Sequence, residues 1–332
     1  MRRKQRSICG IFLLLYVLSP TAFAVQTVIP SGLPVGVRMT AKGVVVCGVE
    51  GVQSAAGAVC PAEDAGLKTG DILYTVNGQE ISSGEELANA VQRGEGSEVV
   101  LEGERDDVDI RVTVKPVKST ADKAYHLGLL VRDSMAGIGT VTYVDPKDGS
   151  FGALGHAVCE CDSGTKLPLR NGSLMPASVA DVQKGKKGEP GELLGVFQTQ
   201  VTIGKITKNT KNGIFGMMNQ KTVQGTAVEV AQEDEVKSGT AQILTCVNGS
   251  MPKQYEIKIE RIIGNSEDGK SMCIRVTDKA LLEATGGIVQ GMSGSPILQD
   301  GKLIGAVTHV LVNDPTRGYA VFAETMLEQA EE

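Results

Sequence analysis

The run Gly291-Met292-Ser293-Gly294-Ser295-Pro296 places a serine between glycines, ahead of Ile297-Leu298, an Asp300-Gly301 turn and a further apolar stretch. Acyl transfer requires this local chemistry: a hydroxyl exposed on a sharp turn, with two backbone N–H groups aimed where an oxyanion would form. Here those donors would be Gly291 and Ser293. A serine nucleophile needs a base, and the chain has three histidines, His126, His156 and His309. His156 lies well upstream of the serine in the small-residue turn Gly152-Ala153-Leu154-Gly155-His156-Ala157. His309 follows the Asp-Gly hairpin and suits the wall of a substrate cleft. His126 reads as a polar residue near a domain seam. An acid would hold the imidazole tautomer, and Asp162, Asp181 and Asp234 are candidates.

A different chemistry competes for the same histidine. His156, Cys159 and Cys161 form an H-x-x-C-x-C run, part of what a metal site would use. No fourth ligand accompanies it, so neither a metal nor another cofactor is expected. Cys47 with Cys60, and Cys246 with Cys273, could bridge if the chain is exported. Cys159 and Cys161 are too close for an unstrained bond.

The elements that must position these residues are short strands. Glycine contributes 41 of 332 residues and aromatics only 4%, with no tryptophan, which excludes helical bundles. Strands are expected at Gly139–Val144, Leu193–Ile203, Thr226–Ala231, Thr240–Val247, Tyr255–Ile263 and Met272–Val276. Helices are expected only at Lys279–Ala284 and Thr325–Glu331. Gln183–Glu192, polar and glycine-rich, reads as a mobile loop. Some 210 residues of this style (118–332) predict a β-barrel or a double barrel.

Residues 31–117 have a different pattern. Gly43–Val49 reads as a strand, and Tyr74-Thr75-Val76-Asn77-Gly78 as a strand ending in a turn. Ser82 and Ser83, with Glu85 and Glu86, offer a helix cap. The run Gly66 to Ile81 resembles the signature of PDZ domains, small α/β barrel-like modules, in bacterial exported proteases. By that resemblance Val35-Gly36-Val37 would receive a peptide's terminal carboxylate, with a neighbouring strand edge taking an extended segment.

Residues 1–24 carry four cations and no acids, then an apolar run and Ala22-Phe23-Ala24. This is the plan of a signal peptide or N-terminal membrane anchor. The rest of the chain holds 29 bases against 39 acids, net −10, without a basic stripe, which argues against nucleic-acid binding.

Taken whole, the chain resembles the SpoIVB family of sporulation serine peptidases. The likeness is carried by Leu129–Thr142, Gly152–His156, Gly286–Pro296 and Gly305–Pro315, and the serine loop itself is similar to that of chymotrypsin-like proteases. The resemblance implies a mainly β chain, a PDZ domain followed by a chymotrypsin-like double barrel, with Ser293 as nucleophile and His156 as base. It points to Asp278 as the acid, while Asp162, Asp181 and Asp234 stay open. It also implies an exported, self-cleaving regulatory protease acting between two membranes. Its protein substrate would be the inhibitor of an intramembrane protease complex that releases a sigma factor, and its PDZ domain would bind peptide C-termini or its own. The alternatives are a PDZ adaptor on an inert barrel and a metal or redox protein built on His156, Cys159 and Cys161.

Overall fold

The computed structural model describes residues 26–331 except 161–162, 220–221, 223 and 265–268. The expected signal or anchor segment, Cys161 and Asp162 lie outside the described residues. The chain is mainly β, as expected. It opens with β1 (Thr27–Pro30) and the long β2 (Pro34–Val49). Then come β3 (Ile72–Val76), helix α1 (Gly84–Arg93), β4 (Val99–Arg105) and β5 (Val108–Val114). A second long strand, β6 (Leu129–Val144), leads to β7 (Ser150–Ala153), β8 (Leu169–Gln183), β9 (Glu192–Phe197), β10 (Gly204–Thr210) and β11 (Gly213–Met218).

Strands β2, β6, β7, β11, β10 and β8 pair in that order, and β8 pairs back to β2, closing a first barrel. Alternation explains its core: Val35, Val37, Met39 and Ala41 of β2 point inward with Val141, Phe151, Leu174 and Ile206, while Arg38 is exposed.

The second barrel is a closed ring of six strands. It contains β12 (Gly239–Thr245), β13 (Lys253–Ile262), β14 (Met272–Val276), β15 (Pro296–Gln299), β16 (Lys302–Val310) and β17 (Arg317–Phe322). Helix α2 (Lys279–Thr285) interrupts it, and α3 (Ala323–Glu331) follows it. Met326 of α3 packs with Tyr143 and Phe215 of the first barrel and with Leu303 and Val321 of the second, so the helix ties the two together.

The module with the PDZ-like signature is inserted between β2 and β6 of the first barrel. Val44 and Val45 of β2 pair with β3, β3 with β4, and β4 with β5, while Leu87 and Val91 of α1 cover the sheet. Ser83 caps α1 by accepting from the Glu86 N–H at 3.1 Å, and Glu86 accepts in return from the Ser82 N–H at 2.6 Å. The aspartate of the PDZ signature, Asp71, is fully buried and takes two bonds from Arg105, at 2.6 and 2.7 Å.

Three expectations are corrected. Val35-Gly36-Val37 is no loop: these residues pair with Gly137–Gly139 on one side and Leu174–Pro176 on the other, inside the first barrel. With both edges engaged, they have no N–H groups to offer a peptide carboxylate. The Gln183–Glu192 segment is docked on the second barrel, where Gly185 N–H donates to Thr285 O and Gly188 N–H to Val312 O, both at 2.8 Å. Nor do disulfides join Cys47 to Cys60 or Cys246 to Cys273.

Candidate active site

Ser293 sits on the turn that enters β15. Gly291 and Gly294 on either side have φ of +94° and +93°, values that side-chain-bearing residues rarely adopt. A Cβ on Gly294 would stand 2.1 Å from the Thr140 carbonyl oxygen, so only glycine fits. The loop is clamped across the barrel seam by β6. Thr140 Oγ1 donates to Gly291 O at 2.8 Å, Thr140 N–H to Ser293 O at 3.1 Å, and Thr142 Oγ1 to Gly294 O at 2.8 Å. The second barrel adds Gly294 N–H to Val307 O at 2.7 Å. Among the described residues, the N–H groups of Gly291 and Ser293 have no acceptor. The loop thus presents two free backbone donors beside the serine.

His156 follows β7 after a turn in which Leu154 and Gly155 both have positive φ, +68° and +72°. Its Nδ1 lies 2.7 Å from the Ala157 carbonyl oxygen. A carbonyl can only accept, so Nδ1 carries the proton and Nε2 is left as the basic nitrogen. Burial holds the imidazole below its ordinary range, with the Ala157 carbonyl pulling the other way. Asn209 fixes the chain beyond it, accepting from Val158 N–H at 2.9 Å and donating to Val158 O and Leu167 O. Buried Glu160 accepts from Ser163 N–H at 2.7 Å.

His156, Gly291 and Ser293 line one cavity of about 320 Å³. His156 of the first barrel and Ser293 of the second therefore share one cleft. The Ser293 hydroxyl is turned the other way here, donating to the Thr308 carbonyl at 2.8 Å. His309 is exposed, its ring centroid 5.2 Å from that of His156.

Asp278 lies elsewhere. It caps α2, accepting from Leu281 N–H at 3.0 Å and facing Glu256 N–H at 3.5 Å. The end of β14 that approaches His156 is the opposite one, where a Cβ on Gly269 would stand 3.2 Å from Gly155 O. A five-residue strand, about 16 Å, separates the two ends. His126 pairs with Asp122 at 2.8 Å, on the PDZ side. Thr140 and Thr142, which hold the serine loop, carried no signal beyond their place in an alternating strand.

A second cleft, about 360 Å³, runs between α1 and the start of β6, lined by Leu87, Val91, Leu127, Leu129 and Val131. There β6 pairs with β2 along one edge only. Just before it, the Leu127 and Gly128 carbonyls accept from Ala62 and Glu50 N–H groups, while the Leu127 and Gly128 N–H groups have no acceptor among the described residues. Gly128 has φ +74°, and a Cβ there would stand 2.4 Å from Glu50 O.

A family model for the SpoIVB peptidase S55 matches residues 123–327, more than half of the chain. The chain belongs to the SpoIVB peptidase S55 family. A PDZ-domain model matches residues 54–105. Among curated proteins, serine protease HTRA1 of Xenopus laevis is 34% identical over 58 residues, covering 18% of this chain and 13% of that protein. The chain thus spans only a small part of that relative. Two solved structures are also similar. The PDZ domain of the SdrC-like protein from Listeria monocytogenes shares 19% identity, covering 25% of this chain and 86% of that one at a TM-score of 0.21. The inactive form of the Rv3671c protease shares 13% identity, covering 59% and 85% at a TM-score of 0.34. The S55 match begins after the PDZ domain, yet the first half of β2, which precedes that domain, completes the peptidase barrel, with β1 paired beside it to β6.

Proposed function

We propose that this serine endopeptidase uses Ser293 as nucleophile and His156 as general base, with the Gly291 and Ser293 N–H groups as its oxyanion hole. The observation that carries this reading is the pair of acceptor-free N–H groups beside a serine on the same cleft as a neutral, Nδ1-protonated histidine. The Ser293 side chain must rotate from Thr308 O toward His156 Nε2. It then attacks the carbonyl, His156 takes the proton and delivers it to the leaving nitrogen, and water releases the acyl group.

The family resemblance assigns the acid to Asp278, although in this structure that carboxylate caps α2 about a strand's length from His156. Asp278→Asn keeps the helix cap and removes the charge. Loss of activity at an unchanged thermal midpoint would place that carboxylate in the triad. Retained activity would leave the Ala157 carbonyl as the group that orients His156. Peptide binding belongs to the Leu127–Gly128 nest and the free edge of β6 beside α1, where both N–H donors and a strand edge are open.

The family likeness supports a finer role. The protein is a self-cleaving regulatory protease of sporulation, exported by its N-terminal segment to the space between forespore and mother-cell membranes. There it cuts the inhibitor of an intramembrane protease complex, leading to sigma-factor activation.

The deciding experiment incubates the purified protein with a fluorophosphonate probe and follows its intact mass. Labelling and self-cleavage in the wild type, both lost in Ser293→Ala, are expected. A folded wild type that neither labels nor cuts itself would favour the PDZ adaptor reading.

A further inference from the structure

A peptide lying across Ser293 extends in two directions, and the structure treats them differently. On the side of β16 and β17, the chain fills its own space. Ile288 is 2% exposed, and its Cδ1 lies 2.6 Å from where a Cβ on Gly318 would stand. Its N–H donates to the Pro315 carbonyl at 2.7 Å, and a Cβ on Gly287 would stand 2.1 Å from that same oxygen. The segment leading into the serine loop is close-packed at these points.

On the side of β6 the opposite holds. The cavity of about 320 Å³ that contains Ser293 is walled by Val37, Met135, Ile138, Leu154 and Val158, and no charged side chain lines it. One wall continues directly from His156 through Ala157 to Cys159. The imidazole that takes the serine proton must hand it to the departing nitrogen, so the leaving segment passes along this wall. Over Met135–Gly139, β6 pairs with β2 alone, which leaves an edge on which an extended segment can form a ladder.

We propose that cleavage specificity resides on the leaving side: the first residue after the scissile bond is a large apolar one, its side chain seated between Met135, Ile138, Leu154 and Val158. The residue before the bond is selected weakly. This inference rests on the assignment of Ser293 and His156 as the reacting pair. No new bond chemistry is involved: the C–N bond breaks as the Oγ–C bond forms, and the proton travels through His156 to the amine.

The test uses the full chain and a synthetic peptide library randomised at the three positions on each side of a central bond, with products read by mass spectrometry. Leu, Ile, Met or Phe at the first leaving position should be cut at least about tenfold faster than Ala, with no comparable selection at the preceding position. Two variants reshape the site. Ile138→Ala should widen it and raise the share of Phe. Ala136→Glu, at an exposed position on the rim, should admit Lys and Arg. Fluorophosphonate labelling separates this inference from the assignment beneath it, because fluoride leaves without occupying the cavity. Labelling of Ser293 combined with selection only at the preceding residue, unchanged in both variants, would overturn the leaving-side subsite and keep the nucleophile. A wild type that neither labels nor cuts would overturn both.

Discussion

The serine loop and the histidine turn face the same cleft but are built to different standards. The serine loop has two glycines at positive φ and four hydrogen bonds from both barrels. Among the described residues, the histidine ring has one bond, to the carbonyl of its own neighbour. The two N–H groups proposed as oxyanion donors are therefore set in advance, whereas Ser293 must turn away from Thr308 before it can meet His156. Catalytic hydrogen bonds often tighten only when substrate arrives, so an unengaged pair is compatible with an active enzyme. The comparison suggests that electrostatic preorganisation in this fold is invested in the backbone of the second barrel and clamped from the first.

This contrast can be broken most directly at its two poles. Ser293→Ala and His156→Ala should each lower peptide hydrolysis by about ten-thousandfold to a millionfold, measured as single-turnover cleavage. Far less loss in His156→Ala would give another group the base's role. Thr140→Val keeps the shape and removes the hydroxyl that holds Gly291. It should slow fluorophosphonate labelling by about a hundredfold, and Thr140→Ser should restore it. Equal labelling of all three proteins would show that the clamp is dispensable.

Smaller effects sharpen the picture. Since burial lowers the His156 pKa, the basic form persists into mildly acidic solution. The labelling rate should fall on acidification with a midpoint below about 6.5, the ordinary imidazole value. A midpoint above it would indicate a charge partner for the ring. Asp278→Ala should cost about 1 kcal/mol of stability through loss of the α2 cap, visible in thermal unfolding, and Asp278→Asn should cost much less.

What was legible in the sequence was local. The glycines around Ser293, the Leu154-Gly155 turn before His156 and the Gly66–Ile81 signature each follow from a few adjacent residues, and each stands where the pattern put it. What was not legible depended on pairing across long separations. Val35–Val37 had the look of a loop beside a PDZ strand, yet their partners are 100–104 residues away on one side and 137–141 on the other. The Gln183–Glu192 segment has loop composition, and only its docking on Thr285 and Val312 shows that it is held. The nest at Leu127–Gly128 escaped notice because it follows the last predicted PDZ strand instead of preceding the first. Thr140 and Thr142 looked like ordinary strand residues because the groups they serve lie about 150 residues on.

The order of strands has a consequence for processing. Residues 34–41 are one stave of the peptidase barrel, gripped on both sides, and the chain departs into the PDZ domain only after them. The PDZ domain is thus spliced into the barrel and cannot be shed from the N-terminus as a detachable head. Trimming has a floor. Cuts before Pro34 leave the stave in place, but one inside Val35–Ala41 would withdraw Val35, Val37 and Met39 from the core and open the wall beside Ser293. A cut on the wrong side of that line would be a stop signal, dismantling the barrel instead of trimming it.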